Sequence, residues 1–129
     1  MSIWRFAELF SSTPEEDRIT LGEGNTPLVR SKSIGPDAGL SHLYFKLETG
    51  NPSGSYKDRF GAAAVSDMLA HGKTRCEATS SGNTGSALAA YCAAAGIECR
   101  IAIVETAPAG KLQQMMSYGA DIYLSLIHI

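Results

Sequence analysis

The sequence predicts an α/β fold, a parallel sheet with flanking helices. Three observations carry this. From residue 43 onward, short apolar segments suited to strands alternate with longer segments of helical periodicity. The strand segments read as near-continuous apolar runs, as in parallel sheets. Each of the three longer helical segments stops at a glycine, Gly72, Gly96 or Gly119, the residue that best caps a helix C-terminus. There is no internal repeat and no low-complexity tract.

Taken in order, Ile3 to Phe10 has apolar residues near helical spacing and reads as a short helix before the polar Ser-Ser-Thr-Pro turn. Leu21 to Leu28 is loop-like, interrupted by two glycines and Pro27; its Gly22-x-Gly24 lacks the third glycine of a nucleotide-binding fingerprint. Ser31 to Gly39 is a connector, and Leu43 to Leu47 a strand that delivers the chain to Asn51-Pro-Ser-Gly-Ser-Tyr-Lys-Asp-Arg-Phe60. Ser55 followed three residues later by Asp58 has the form of a capping box, so Lys57 is expected as the second residue of a helix. That helix should bury Phe60, Ala64, Val65, Met68 and Leu69 on one face. Arg75 to Thr79 is a strand running into the turn Ser80-Ser-Gly-Asn-Thr-Gly85, and a helix follows with Leu88, Tyr91, Cys92 and Ala95 on one face. Glu98 to Val104 is a strand, Ala107 to Tyr118 a helix with Pro108 near its start, and Ala120 to Leu124 a further strand.

Composition bounds the function. With 129 residues, 44% hydrophobic and 19% charged, the chain can bury one modest core. A net charge of -2 without a basic block argues against nucleic acid or an anionic membrane surface as the main partner, leaving a small-molecule site. No apolar segment is long enough to span a bilayer, and Arg5 and Glu8 interrupt what would be a signal-peptide core, so a cytoplasmic location is expected. Cys76, Cys92 and Cys99 lack Cys-x-x-Cys or His-paired spacing, and His42, His71 and His128 form no cluster; buried reduced thiols and no metal site are expected.

Two stretches carry chemistry. A lysine in the first helical turn faces the positive end of the helix dipole, which pushes it toward the neutral amine that attacks an aldehyde. The alternative for Lys57 is a solvated lysine after a Pro-Gly turn. Between a strand and a helix, the small-residue turn 80–85 makes an anion site, its N–H groups aimed at the ligand and its glycines allowing close approach. The alternative there is an ordinary capped helix start.

Asn51-Pro-Ser-Gly-Ser-Tyr-Lys-Asp-Arg59 resembles the cofactor-lysine motif of fold-type II pyridoxal-phosphate enzymes, most nearly in its threonine synthase form, with Tyr56 where those enzymes often have Phe. Glu23-Gly-Asn-Thr-Pro-Leu28 is similar to a stretch near the start of threonine synthases, with a mainly positional role and Thr26 shaping the pocket. Ser80-Ser-Gly-Asn-Thr-Gly85 resembles the asparagine loop of the same enzymes. The resemblance implies that Lys57 forms the Schiff base with pyridoxal 5'-phosphate, that Asn83 hydrogen-bonds the cofactor's 3-oxygen, and that Ser81, Gly82 and Thr84 hold the carboxylate of an amino-acid substrate. It implies a lyase converting O-phosphohomoserine and water to threonine and phosphate. A cysteine synthase, a serine/threonine dehydratase and a non-catalytic α/β ligand-binding domain remain alternatives. A homodimer is a further expectation for a full-length protein.

The resemblance divides the chain into residues 1–42, holding the Gly-Asn-Thr-Pro-Leu loop; 43–123, a truncated α/β portion; and 124–129, reading Leu-Ser-Leu-Ile-His-Ile. The last six are what CTGTCTCTTATACACATC encodes, similar to a transposon end used in sequencing libraries, and are expected to be adapter read-through. A genuine apolar strand is the alternative. In the resembling family the phosphate-cradling glycine loop and the hydroxyl facing the pyridine nitrogen lie downstream of this portion.

Overall fold

The computed structural model describes residues 2–124. The chain begins with a 3-10 segment, Ile3–Leu9, capped by the Ser2 hydroxyl, which accepts from the Trp4 N–H at 3.3 Å. A short helix was the expectation, and it forms with 3-10 winding. The tighter winding accompanies two tethers: the Ile3 N–H donates to the Glu23 carboxylate and the Trp4 indole N–H to the Ile19 carbonyl at 2.7 Å. A break at Phe6, with φ -117°, interrupts the segment.

Residues Leu28–Arg30 (β1) and Tyr44–Lys46 (β2) pair antiparallel, Val29 opposite Phe45, in a ribbon separate from the main sheet. Sequence periodicity misses β1 because three residues after a proline are too few to show alternation. The expected connector between them contains one helical turn, Ile34–Asp37 (α1).

The main unit is a three-stranded parallel sheet of Arg75–Thr79 (β3), Glu98–Ile103 (β4) and Asp121–Leu124 (β5), in that order. Helices Lys57–Ala70 (α2), Asn83–Ala95 (α3) and Ala109–Ser117 (α4) precede or connect the strands. The expected α/β class with a parallel sheet is what forms. All three helices stop the same way. Gly72, Gly96 and Gly119 take positive φ (63°, 67° and 85°), and the next residue's N–H donates back to the carbonyl five positions earlier: Lys73 to Met68, Ile97 to Cys92, Ala120 to Met115.

Helix α3 lies at the centre, with Gly85 to Cys92 buried without interruption. Its packing shifts the expected face of α2, on which Val65 is buried and Met68 and Leu69 pack against the core as expected. Asp58, Gly61, Ala62, Val65 and Ser66 are buried, whereas Phe60 is 48% exposed. The close approach of the two helices selects small side chains: a Cβ on Gly61 would stand 2.8 Å from the Tyr91 ring. Ser66 is satisfied within the core by the Ile19 N–H at 2.8 Å.

The sheet is one-sided, which corrects the reading of its strands as near-continuous apolar runs. Cys76, Cys99, Ile101 and Ile103 are buried, while Arg75, Glu77, Glu98 and Arg100 alternate with them on the opposite face. There Glu98 bridges Arg75 at 2.9 Å and Arg100 at 2.7 Å. The three cysteines are buried and unbridged, as expected. Their convergence was not expected: the sulfurs lie within 4.8 Å of one another because Cys76 and Cys99 are register partners and Cys92 belongs to the helix above. Thiol hydrogen bonds with Cys76 and Cys99, and then burial, hold the Cys92 thiol well above its ordinary range. Among the described residues no helix is long and apolar enough to cross a membrane. Leu124 closes β5 opposite Ile103; the remainder of the stretch expected to be read-through, and His128, lie outside the described residues.

Candidate active site

Lys57 sits on a loop built to hold one shape. The Gly54 N–H donates to the Asn51 carbonyl at 2.8 Å, and Gly54 takes φ 88°. The fully buried Asp58 carboxylate accepts from the Ser53 N–H at 2.9 Å and the Ser53 hydroxyl at 2.7 Å. This corrects the capping expectation. Lys57 is the first residue of α2, Ser55 Oγ accepts from its N–H at 3.2 Å, and Asp58 closes on Ser53 rather than on Ser55. The Lys57 side chain is half-buried, its ammonium 4.9 Å from the Tyr56 ring centroid. Among the described residues Nζ has no hydrogen-bond or ion-pair partner.

A polar strap that sequence spacing did not reveal fixes this loop to the 21–28 segment. The Arg59 guanidinium grips Glu48 with two bonds of 2.9 Å. Glu48 also accepts from the Thr26 hydroxyl at 2.6 Å and from Asn51 Nδ2 at 3.0 Å, and Asn51 Oδ1 accepts from the Gly24 N–H at 2.9 Å. The Arg59 hydrogen bonds, helped by Thr26 and Asn51, hold the Glu48 carboxyl down at about 2, and Glu48 in turn raises Arg59. Thr26 is therefore engaged in the strap, which suits the positional role expected for its segment. Behind it, the fully buried Glu23 accepts from the Tyr91 hydroxyl at 2.8 Å, and burial, then this bond, push the Tyr91 phenol far above its usual range. The sequence signals were the charges flanking the motif, Glu48 and Arg59, whose pairing periodicity could not show.

The second loop is left open where the first is closed. Ser80 Oγ accepts from the Gly85 N–H at 2.9 Å, and the Ser86 N–H donates to the Gly82 carbonyl at 3.1 Å. Asn83 and Thr84, the first two residues of α3, have no acceptor for their N–H groups among the described residues. By contrast, the first N–H groups of α2 are satisfied by Ser55 and Tyr56. An anion is therefore better served at α3 than at α2. Asn83 is exposed; Ser81, Gly82 and Thr84 are half-buried.

The two loops share one end of the molecule. Gly61, fifth in α2, packs on Ala87, fifth in α3, and because α2 leads into β3 through a short turn while α3 leaves it, both helices run side by side from a common edge. Lys57 and Asn83 each stand about 6 Å of helix before that crossing. This edge is the carboxyl end of β3, where open α/β sheets bind ligands. Gln114 of α4 adds a third tie, donating to the Ser53 carbonyl at 2.9 Å. A recess of about 450 Å³ on the open sheet face, lined by residues including Glu77, Arg100 and Tyr123, contains none of these groups. An unpaired amine and unclaimed helix N–H groups at one edge fit an anionic aldehyde cofactor and a carboxylate.

Fold and site thus define an α/β enzyme portion suited to pyridoxal phosphate. The family pattern described as pyridoxal-phosphate dependent enzyme matches residues 19–126, and the chain belongs to this family, whose cofactor is pyridoxal 5'-phosphate. It is 41% identical to a threonine synthase of Halalkalibacterium halodurans, over 95% of this chain and 36% of that protein. It is 37% identical to a threonine synthase of Methanocaldococcus jannaschii, over 95% of this chain and 30% of the relative. Among solved structures, a pyridoxal 5'-phosphate-dependent aspartate racemase superposes with a TM-score of 0.74 at 33% identity, covering 84% of this chain and 35% of the racemase. The chain spans about a third of the length of these relatives.

Proposed function

We propose that the chain is a portion of a pyridoxal-phosphate-dependent lyase of the threonine synthase type, acting on O-phosphohomoserine and water to give threonine and phosphate. The observation that supports this best is the 41% identity to a threonine synthase across nearly the whole chain. In this reading residues 43–123 supply the α/β portion, and residues 1–42 carry the strap partners Gly24 and Thr26.

Lys57 Nζ would hold the cofactor and would carry protons to and from the substrate. Its lack of a carboxylate partner leaves the amine free for both tasks. Asn83 would help hold the cofactor, while Ser81, Gly82 and Thr84 would orient the substrate carboxylate at the open start of α3. The strap through Glu48 and Arg59 keeps the lysine loop in register with this edge. When bound, pyridoxal phosphate supplies an electron sink for a substrate carbanion.

Lys57→Ala in the full-length protein should eliminate the cofactor's visible absorption band and reduce turnover by at least about a thousandfold, the loss of covalent and acid-base roles together. An unchanged band would remove Lys57 from this role. Phosphate release from O-phosphohomoserine tests the substrate. The superposition on an aspartate racemase supports a second reading, another reaction on the same fold. Sulfide-dependent cysteine formation or keto-acid formation from threonine, without phosphate release, would favour that class.

A further inference from the structure

The three-cysteine cluster takes no part in the proposed reaction. Cys76 in β3, Cys99 beside it in β4 and Cys92 in α3 are 7%, 5% and 0% exposed and sit in an apolar cluster with Ile101, Leu88 and Met115. Among the described residues no fourth His, Cys, Asp or Glu joins the group. With every sulfur within 4.8 Å of the others, some point lies within about 2.8 Å of all three, and movements of about half an ångström reach the ~2.3 Å of a metal–thiolate bond.

Ligand number and charge decide what fits. A structural zinc site closes with four protein donors, and this one offers three. Three thiolates around a divalent ion would leave a buried net charge of minus one, and around a monovalent ion minus two, and among the described residues no cation acts on the thiols to offset it. The Cys99 thiol is held up first by its hydrogen bond with Cys76 and then by burial, and the Asp121 carboxylate adds a smaller push in the same direction, against further negative charge. A trivalent centre gives a neutral complex.

We propose that Cys76, Cys92 and Cys99 form a trithiolate site for a trivalent thiophilic metalloid, arsenite being the chemical class that matches. The exchange is balanced: uncharged As(OH)3 and three thiols give As(SR)3 and three waters. Three As–O and three S–H bonds break, three As–S and three O–H bonds form, and arsenic stays trivalent. The complex would staple the amino ends of β3 and β4 to the last turns of α3, at the end of the sheet opposite the 80–85 turn. Because the thiols are buried, uptake waits on local opening and accelerates in mild denaturant.

The test adds sodium arsenite to the reduced, cofactor-loaded full-length protein. Native mass spectrometry should show one arsenic gained for three hydrogens lost, with a new near-ultraviolet sulfur-to-arsenic band. Cys92→Ser and Cys99→Ala, each alone, should lose that band while keeping the far-ultraviolet dichroism and the cofactor band that report folding. Should either variant fail to fold, arsenic-edge X-ray absorption on the unaltered protein still counts neighbours: three sulfurs are expected. No uptake, uptake unchanged in folded variants, or an arsenic retaining oxygen would overturn the proposal. So would zinc ion binding there with displacement of protons, which would mark an anionic complex as tolerated. None of these results depends on the substrate the enzyme uses.

Discussion

Glu48 shows how much of the site rests on a side chain that touches no reacting atom. Its carboxylate takes two bonds from Arg59 and one each from Thr26 and Asn51, and these hold its folded pKa at about 2 against an ordinary 4.5. Because the folded value is the lower, the ionised form is what stabilises the native state. That stabilisation is complete above about pH 5 and is lost as the pH falls toward about 2. With the side chain a quarter exposed, screening reduces its worth to about 1–2 kcal/mol. Glu48→Gln in the full-length protein should therefore lower stability by that amount at neutral pH, and the gap from the unaltered protein should close in acid. Denaturant titrations across this range would measure it; a gap constant with pH would mean that the ion pair is not its source. The residue was visible in the sequence only as a charge near a motif, since its role needs Thr26 and Asn51 from two loops and Arg59 from the first turn of α2 brought together.

At the scale of elements, two glycines of one turn separate packing from binding. A Cβ on Gly85 would meet Met115 Sδ at 2.7 Å and the Ser80 carbonyl oxygen at 2.8 Å. The methionine can swing away; the backbone carbonyl, at the end of β3, cannot. Gly82 has φ -134°, a region open to any residue, and nothing within 4 Å of its added Cβ. Gly85→Ala should cost about 1–3 kcal/mol as overpacking, whereas Gly82→Ala should change stability by less than about 0.5 kcal/mol. If the turn holds a substrate carboxylate, Gly82→Ala should nonetheless raise KM, because the ligand must approach where the methyl now stands. Thermal melts with steady-state kinetics distinguish the cases, and an unaltered KM would place the carboxylate elsewhere. The strands and helices from residue 75 onward were legible because turn glycines bound them locally. The buried face of α2 was not: Gly61 and Ser66 are chosen by the nearness of Tyr91 and the Ile19 N–H, which periodicity weighs as gaps. Likewise the cysteine cluster depends on β3–β4 register, and register appears only when the sheet is assembled.

For the whole molecule, the closed core and the open margins lead to opposite expectations. Tyr91, Ile101, Met115 and Val65 are fully enclosed between α2, α3, α4 and the sheet, so the 129-residue chain has a core capable of cooperative folding. Its margins are less complete. Leu9, Leu28, Met116 and Leu124 are each more than 60% exposed, and β3 and β5 are the outer strands of the described sheet. Outer strands and exposed apolar side chains are surfaces for self-association. The chain also corresponds to about a third of the length of its relatives, and the resemblance implies that the groups holding the cofactor's phosphate lie outside it. Each charge-assisted bond to a phosphate is worth about 1.5–3 kcal/mol, so the absence of several weakens cofactor binding by orders of magnitude. Expressed alone, the chain should show native-like helical dichroism, associate with rising concentration in sedimentation velocity, and lose the cofactor's visible band on gel filtration. The full-length protein should keep that band. A monodisperse 129-residue monomer that retains the band and releases phosphate from O-phosphohomoserine would mean that the lysine loop and the open turn at α3 suffice as a site.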